Sequence, residues 1–231
     1  MEDFQRSILP STHPLSCRGK EVLIIAQTFD MAKEHLYTLR KIIMNSDNFK
    51  NFLITEPGNF LLKTETTKAS VLFIANPENP NKPTRIIARG PKASGIWSWK
   101  EVKHIHMSDV AANNQVDDSQ LFGAAFSRLA NTNGSILIET PPMGQRGTVW
   151  DIYKNSTLEN DGNSTLTKFH IRKVTSSEAV NAEVISQKFL DEERERQGIL
   201  FGQLYECEFL NPSNTWYTED LFQYDSDLVL G

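Results

Sequence analysis

Two stretches of this chain carry groups with chemical potential at the ends of apolar strands. Ser135-Ile136-Leu137-Ile138-Glu139 stops at Thr140-Pro141 and enters a turn punctuated by Gly144 and Gly147. Val102-Lys103-His104-Ile105-His106-Met107 runs into Ser108-Asp109. Ligands of open α/β sheets bind beyond the carboxyl ends of the strands, so two polar strand ends point to a nucleotide-handling core. A carboxylate at Asp109, beside Ser108, can hold a magnesium-bound water or polarise an attacking one. The plainer alternative is that Asp109 caps the following turn. The Thr140 hydroxyl can sense a γ-phosphate and couple it to the next loop; alternatively Thr140-Pro141 is a stop signal, since proline cannot continue a central strand. Arg146 is a candidate arginine finger or DNA-phosphate contact, set against an ordinary surface arginine.

Other residues compete for attention. His104 and His106 alternate on one strand and share a face. With Asp109 they make an H-x-H-x-x-D string, which gives a metallohydrolase reading; the competing reading is a pair of packed or helix-facing histidines. Arg89-Gly90 sets a guanidinium beside a flexible turn. Lys82, Arg85, Arg89 and Lys92, with Trp97 and Trp99, form a basic and aromatic patch that suits a nucleic-acid backbone, or else solvated charges around a buried tryptophan. The charged run Gln187 to Gln197 reads as a solvated helix face supported by pairs three or four apart.

Composition narrows the classes. The chain has 231 residues and a net charge of −5, so no global field draws it onto nucleic acid or an anionic membrane. A local DNA contact remains compatible with that balance. Cys17 and Cys207 stand far apart without CxxC spacing, which argues against a structural zinc site or a disulfide framework. Asn155-Ser156-Thr157 and Asn163-Ser164-Thr165 match the glycosylation pattern, a string that arises often by chance. No apolar run is long enough to span a bilayer, and the polar N-terminus has no signal-peptide core.

The elements that must position these groups follow from periodicity. Residues 1–18 read as an irregular arm. Val22 to Ala26 is a continuous apolar run, the mark of a strand buried on both faces. Asp30 is the expected N-cap of a helix over 31–44, with Ala32, Leu36, Leu39, Ile42 and Ile43 as its apolar stripe. Strands are expected at 60–62, 70–74, 85–88, 102–107 and 135–139. Gly95, Ile96, Trp97 and Trp99 read as part of the loop before the strand at 102–107. Asp117-Asp118 caps a helix to about 129, carrying Leu121, Ala125, Phe126 and Leu129. Further helices are expected at 149–154 and 187–197, the latter closed by Gly198, with an alternating strand at 166–174. Strand-turn-helix units of this kind build parallel sheets.

No G-x-x-x-x-G-K-[ST] string exists in the chain. Arg18-Gly19-Lys20 is followed by Glu21 and opens a strand, whereas a phosphate cradle needs backbone N–H groups at a helix N-terminus.

The order of these strings resembles the large terminase subunit of tailed viruses, the ATPase that drives DNA into the capsid. Gly19 to Thr28 is similar to the strand after that family's P-loop helix, with Ala32 and Lys33 opening the next helix. Arg89-Gly90 resembles the Arg-Gly turn before the Walker B strand, Val102 to Asp109 that strand itself, and Thr140-Pro141 with Gly144 and Gly147 the coupling motif. Leu190-Asp191-Glu192-Glu193-Arg194 and Phe201 to Phe209 are similar to the segment closing the ATPase domain. Where the family has Asp-Glu, this chain has Ser108-Asp109, so the base position falls on Asp109 or Val110.

The resemblance implies an α/β fold with a mainly parallel sheet flanked by helices, a P-loop NTPase core of the additional-strand type without its P-loop unit. It implies an ATPase-like domain over 19–210, and a segment over 211–231 leading toward a missing nuclease. ATP and Mg²⁺ are the implied cofactors, with Asp109 as the Mg²⁺ position. Double-stranded DNA, a portal ring and a small terminase subunit are the implied partners, in the host-cell cytoplasm. On this expectation the chain is part of a viral or proviral motor, inactive alone. A non-enzymatic module that docks to a P-loop partner or a portal is the alternative.

Overall fold

The computed structural model describes residues 2–54, 63–66, 69–112, 118–157 and 169–210. The chain divides into two compact units, Met1–Thr140 and Pro141–Gly231, where the sequence reading draws one domain over 19–210. The expected strand at 60–62, Asp117 and the segment 211–231 lie outside the described residues.

In the first unit, α1 (Glu2–Ile8) precedes β1 (Glu21–Ala26) and α2 (Phe29–Met44). Then come β2 (Lys63–Thr66), β3 (Ala69–Ile74), β4 (Thr84–Arg89) and α3 (Ala93–Trp97). β5 (Val102–Ser108), α4 (Asp118–Ala130) and β6 (Ser135–Glu139) complete it. The strands form one sheet in the order β2-β3-β4-β1-β5-β6. β4, β1, β5 and β6 run parallel, while β3 is antiparallel to both of its neighbours. The expected α/β class with a mainly parallel sheet is the observed one.

All six residues of β1 are buried, as expected for the central strand of a sheet covered on both faces. Val22, Ile24 and Ala26 share one core with Ile86, Ala88 and the buried α2 residues Ala32, Leu36, Leu39 and Ile43. The other parity, Leu23 beside Ile87 and Ile105, faces the opposite side. There Lys103 donates from Nζ to the carbonyls of Thr132 (3.0 Å) and Asn133 (2.7 Å), tying the end of α4 to that face.

Several local readings change. α1 replaces the expected irregular arm and sinks Phe4 into the α2-side core, edge-on to Phe49 at 5.1 Å. Thr28, not Asp30, caps α2: its hydroxyl accepts from the Met31 N–H at 3.2 Å, and Asp30 sits in the first turn, where a negative charge complements the helix dipole. Ile42 and Phe126 are 40% and 38% exposed, so each lies off its helix's buried stripe. Residues 93–97 are helical, with Ile96 as the buried anchor.

Gly134 joins α4 to β6 in a place with no room for a side chain. A Cβ there would meet the Lys103 carbonyl oxygen at 2.7 Å and Leu129 Cδ2 at 2.6 Å. The carbonyl belongs to a central strand and cannot move aside. Gly134→Ala should therefore cost about 1–3 kcal/mol, readable as a lowered urea midpoint.

The second unit holds α5 (Gly147–Thr157), α6 (Ser176–Asn181), α7 (Gln187–Gln197) and α8 (Leu200–Tyr205). Trp150, Tyr153 and Phe209 form one aromatic cluster, with Tyr153 and Phe209 stacked at 4.6 Å. The buried Glu193 carboxylate accepts from Gln197 Nε2 and from the Tyr205 hydroxyl, both at 3.0 Å. Residues 169–174 carry no strand, and 166–168 lie outside the described residues.

Candidate functional site at the carboxyl rim of the sheet

Because β4, β1, β5 and β6 are parallel, their carboxyl ends meet along one edge of the sheet. That edge carries Arg89, Gln27-Thr28, Ser108-Asp109 and Glu139-Thr140. β1 and β5 are neighbours, but the helices following them pack on opposite faces. A crevice between two such strand ends is where open α/β sheets bind ligands.

Asp109 and Thr140 are adjacent on this rim. Ser108 pairs with Glu139 in the parallel register, and the Asp109 N–H donates to the Glu139 carbonyl at 2.7 Å. Thr140 Oγ1 accepts from the Ala111 N–H at 3.3 Å, so this hydroxyl caps the turn that begins at Asp109. Asp109 is half-buried and leaves the strand with φ 55, a left-handed conformation that costs a non-glycine residue free energy. Ser108 is buried as the last residue of β5. A carboxylate and a hydroxyl side by side at a strand end can share a hydrated divalent cation and an anionic oxygen.

The remaining predicted residues separate. The Arg89 guanidinium lies over the Trp99 ring at 5.7 Å and donates to the Gly95 carbonyl at 3.2 Å. Arg85 lies over the same ring at 5.4 Å and pairs with Glu21, while Lys82 pairs with Glu101 at 2.8 Å. Three cations of the expected basic patch are thus committed to internal partners; Lys92 and Trp97 are exposed. Arg146 and Pro141 belong to the second unit. Arg146 is exposed, between Gly144 (φ 83) and Gly147 (φ 77) in the turn entering α5.

The H-x-H-x-x-D metal reading does not survive. Both imidazoles face α1. Asp3 Oδ1 lies 3.3 Å from His104 Nε2, and Asp3 Oδ2 lies 3.1 Å from His106 Nδ1. His106 Nε2 meets Glu139 Oε2 at 2.9 Å, and His104 Nδ1 meets Ser135 Oγ at 2.8 Å. Arg6 donates to the same Ser135 hydroxyl at 2.9 Å. Among the described residues, no group of three or more His, Cys, Asp or Glu side chains is placed to hold a metal ion. An irregular arm over residues 1–18 carries no sequence sign of this cluster beyond its apolar spacing. Phe4 and Ile8, one helical turn apart, were the available signal.

The cluster is electrostatically coupled. Burial opposes ionisation of Asp3, but the hydrogen bonds and charges of His104 and His106 outweigh it and hold the carboxyl well below the ordinary 3.8. Burial likewise disfavours the His106 cation, but Asp3 and Glu139 outweigh it and raise that group above the ordinary 6.5. The depressed Asp3 contributes stability in full above 3.8, and loses it as pH falls through the folded value. The raised His106 contributes in full below 6.5, and loses it as pH rises through the folded value. The melting temperature should therefore be highest between roughly pH 4 and pH 6.5 and fall on both sides, as calorimetry across that range would show.

No protein-family model matches the sequence, and no curated protein matches it. Solved structures do. The fold is similar to the large terminase ATPase domain of Thermus phage P74-26, with a TM-score of 0.54 and 15% identity over 83% of this chain and 77% of that one. It is also similar to the large terminase of a second thermophilic bacteriophage in complex with ADP, with a TM-score of 0.53 and 9% identity. There the match covers 83% of this chain and 40% of that one. At these identities the likeness is one of fold. The first unit's sheet and the expected terminase-type ATPase architecture agree. No helix among the described residues is long and apolar enough to cross a membrane.

Proposed function

We propose that this chain is the nucleotide-responsive core of a viral or proviral DNA-packaging motor of the large terminase kind. The observation that carries the reading is the adjacency of Asp109 and Thr140 on one parallel sheet edge, in a fold similar to terminase ATPase domains. Asp109 holds Mg²⁺ or orients the attacking water beside the buried Ser108, and Thr140-Pro141 relays occupancy into the following turn. Arg146 is the phosphate-contacting arginine, and the exposed Lys92, with Arg89 behind it, is the nucleic-acid contact. ATP with Mg²⁺ is the ligand. Double-stranded DNA, a portal ring and a small terminase subunit are the partners, and the host cytoplasm is the site of action.

The sequence offers no G-x-x-x-x-G-K-[ST] loop, so this chain does not by itself supply the backbone cradle that phosphoryl transfer needs. That absence favours a second reading, a non-enzymatic module that docks to a P-loop-bearing partner. Both readings predict the same result for the purified chain. Magnesium-dependent ATP hydrolysis should not exceed the buffer background in a phosphate-release assay, and sustained turnover would contradict both. Co-purification with a short P-loop polypeptide that restores turnover would favour the docking form.

A further inference from the structure

We infer that His106 is a proton-operated latch that holds α1 against the β5–β6 face of the sheet and joins it to the rim. The argument rests on donor and acceptor capacity. The two ring nitrogens of His106 face two carboxylates, Asp3 Oδ2 at 3.1 Å and Glu139 Oε2 at 2.9 Å. Ionised carboxylates only accept hydrogen bonds. A neutral imidazole has one N–H and one lone pair, so either tautomer sets a lone pair against one of the two anions. Only the imidazolium satisfies both.

His104 is built differently. Its Nδ1 meets the Ser135 hydroxyl at 2.8 Å and the Ser135 carbonyl oxygen at 3.1 Å, while its Nε2, 3.3 Å from Asp3 Oδ1, makes no hydrogen bond. Only one ring nitrogen of His104 is hydrogen-bonded, whereas both nitrogens of His106 meet carboxylates. On α2, the ring of His35 lies 6.4 Å from that of His106 between centroids, and Arg6 of α1 is bonded to Ser135 beside His104.

The latch has a mechanical target. Asp3 is buried, so α1 cannot keep its place and also release that carboxylate to water. Glu139 is 69% exposed in its side chain, and it is the last residue of β6 before Thr140. Loss of the His106 proton removes the cation shared by the buried Asp3 and the exposed Glu139 and sets a ring lone pair against one of them, and α1 then opens locally while the core strands stay closed. This inference does not depend on the nucleotide reading.

The test is amide hydrogen exchange on the full chain, with the base-catalysed intrinsic rate divided out. From roughly pH 5.5 to 8.5, protection of the Arg6 to Leu9 amides should fall at least about ten-fold, while β1 amides keep theirs. The midpoint should match the ring titration of His106 followed by NMR. Glu139→Gln supplies an amide that can donate to a neutral Nε2, so its α1 protection should persist through the same range. His106→Gln should abolish the pH dependence. Wild-type α1 protection that stays flat through the His106 titration would overturn the latch, as would a Glu139→Gln profile indistinguishable from wild type. Glu139 lies at an exposed strand end, so that variant decides the matter even if His106→Gln fails to fold.

Discussion

Asp109→Gly is expected to fold more stably than the parent chain and, on the proposed function, to lose the metal–nucleotide contact altogether. Asp109 sits at φ 55, where a side chain costs about 1–2 kcal/mol. Glycine removes that strain but adds disorder to the unfolded chain, which returns part of it. The net gain should be about 0.5–1 kcal/mol in urea denaturation. The carboxylate is the only anionic side chain that the Ser108-Asp109 strand end offers to a divalent cation. Asp109→Asn keeps the shape and tolerates the same backbone but carries no charge, so it should lose the metal contact with little change in stability. Opposite signs for stability and binding are the mark of a strained residue retained at a ligand site. A purely structural cap would lose stability in Asp109→Gly and be unchanged in Asp109→Asn.

Ile105→Ala should produce the largest loss of stability. Ile105 is fully buried in β5, next to Leu23 of the central strand and Ile136 of β6. Truncation leaves a cavity on one face of the sheet, beneath a strand whose backbone is fixed by ladders to β1 and β6. A cost of about 2–5 kcal/mol is expected, a large share of the stability of a domain this size. Ile136→Ala, half-buried on β6, should cost clearly less. Equal effects of the two would mean that β6 is packed as tightly as the sheet centre.

The apolar runs carried most of the sheet. Val22 to Ala26 announces a buried parallel strand because nothing in it alternates or breaks, while Val102 to Met107 and Ser135 to Glu139 announce strands of which the second is only half-buried. Their polar ends announce the rim. The adjacency of Asp109 and Thr140 then follows from parallel register, which places two strand ends together once the strands are neighbours. Capping was harder to read. Thr28 and Asp30 are both good N-cap types, and the choice depends on where β1 releases the chain, which periodicity alone does not fix. The Asp3–His106–Glu139 chain was invisible for a different reason. Its members lie far apart in sequence, and a seven-residue helix gives almost no periodic signal. The basic patch erred in the opposite direction. Lys82 and Arg85 look free in sequence, but folding delivers Glu101 and Glu21 to them.

The most direct test of the rim is paramagnetic broadening by Mn²⁺–ATP in NMR spectra of the full chain. It registers weak occupancy and needs no hydrolysis. Amide signals of Thr28, Asp109, Ala111 and Thr140 should broaden first and together, and Asp109→Asn should abolish the effect. Broadening centred elsewhere, or unchanged in Asp109→Asn, would contradict a nucleotide site at the carboxyl edge of this sheet.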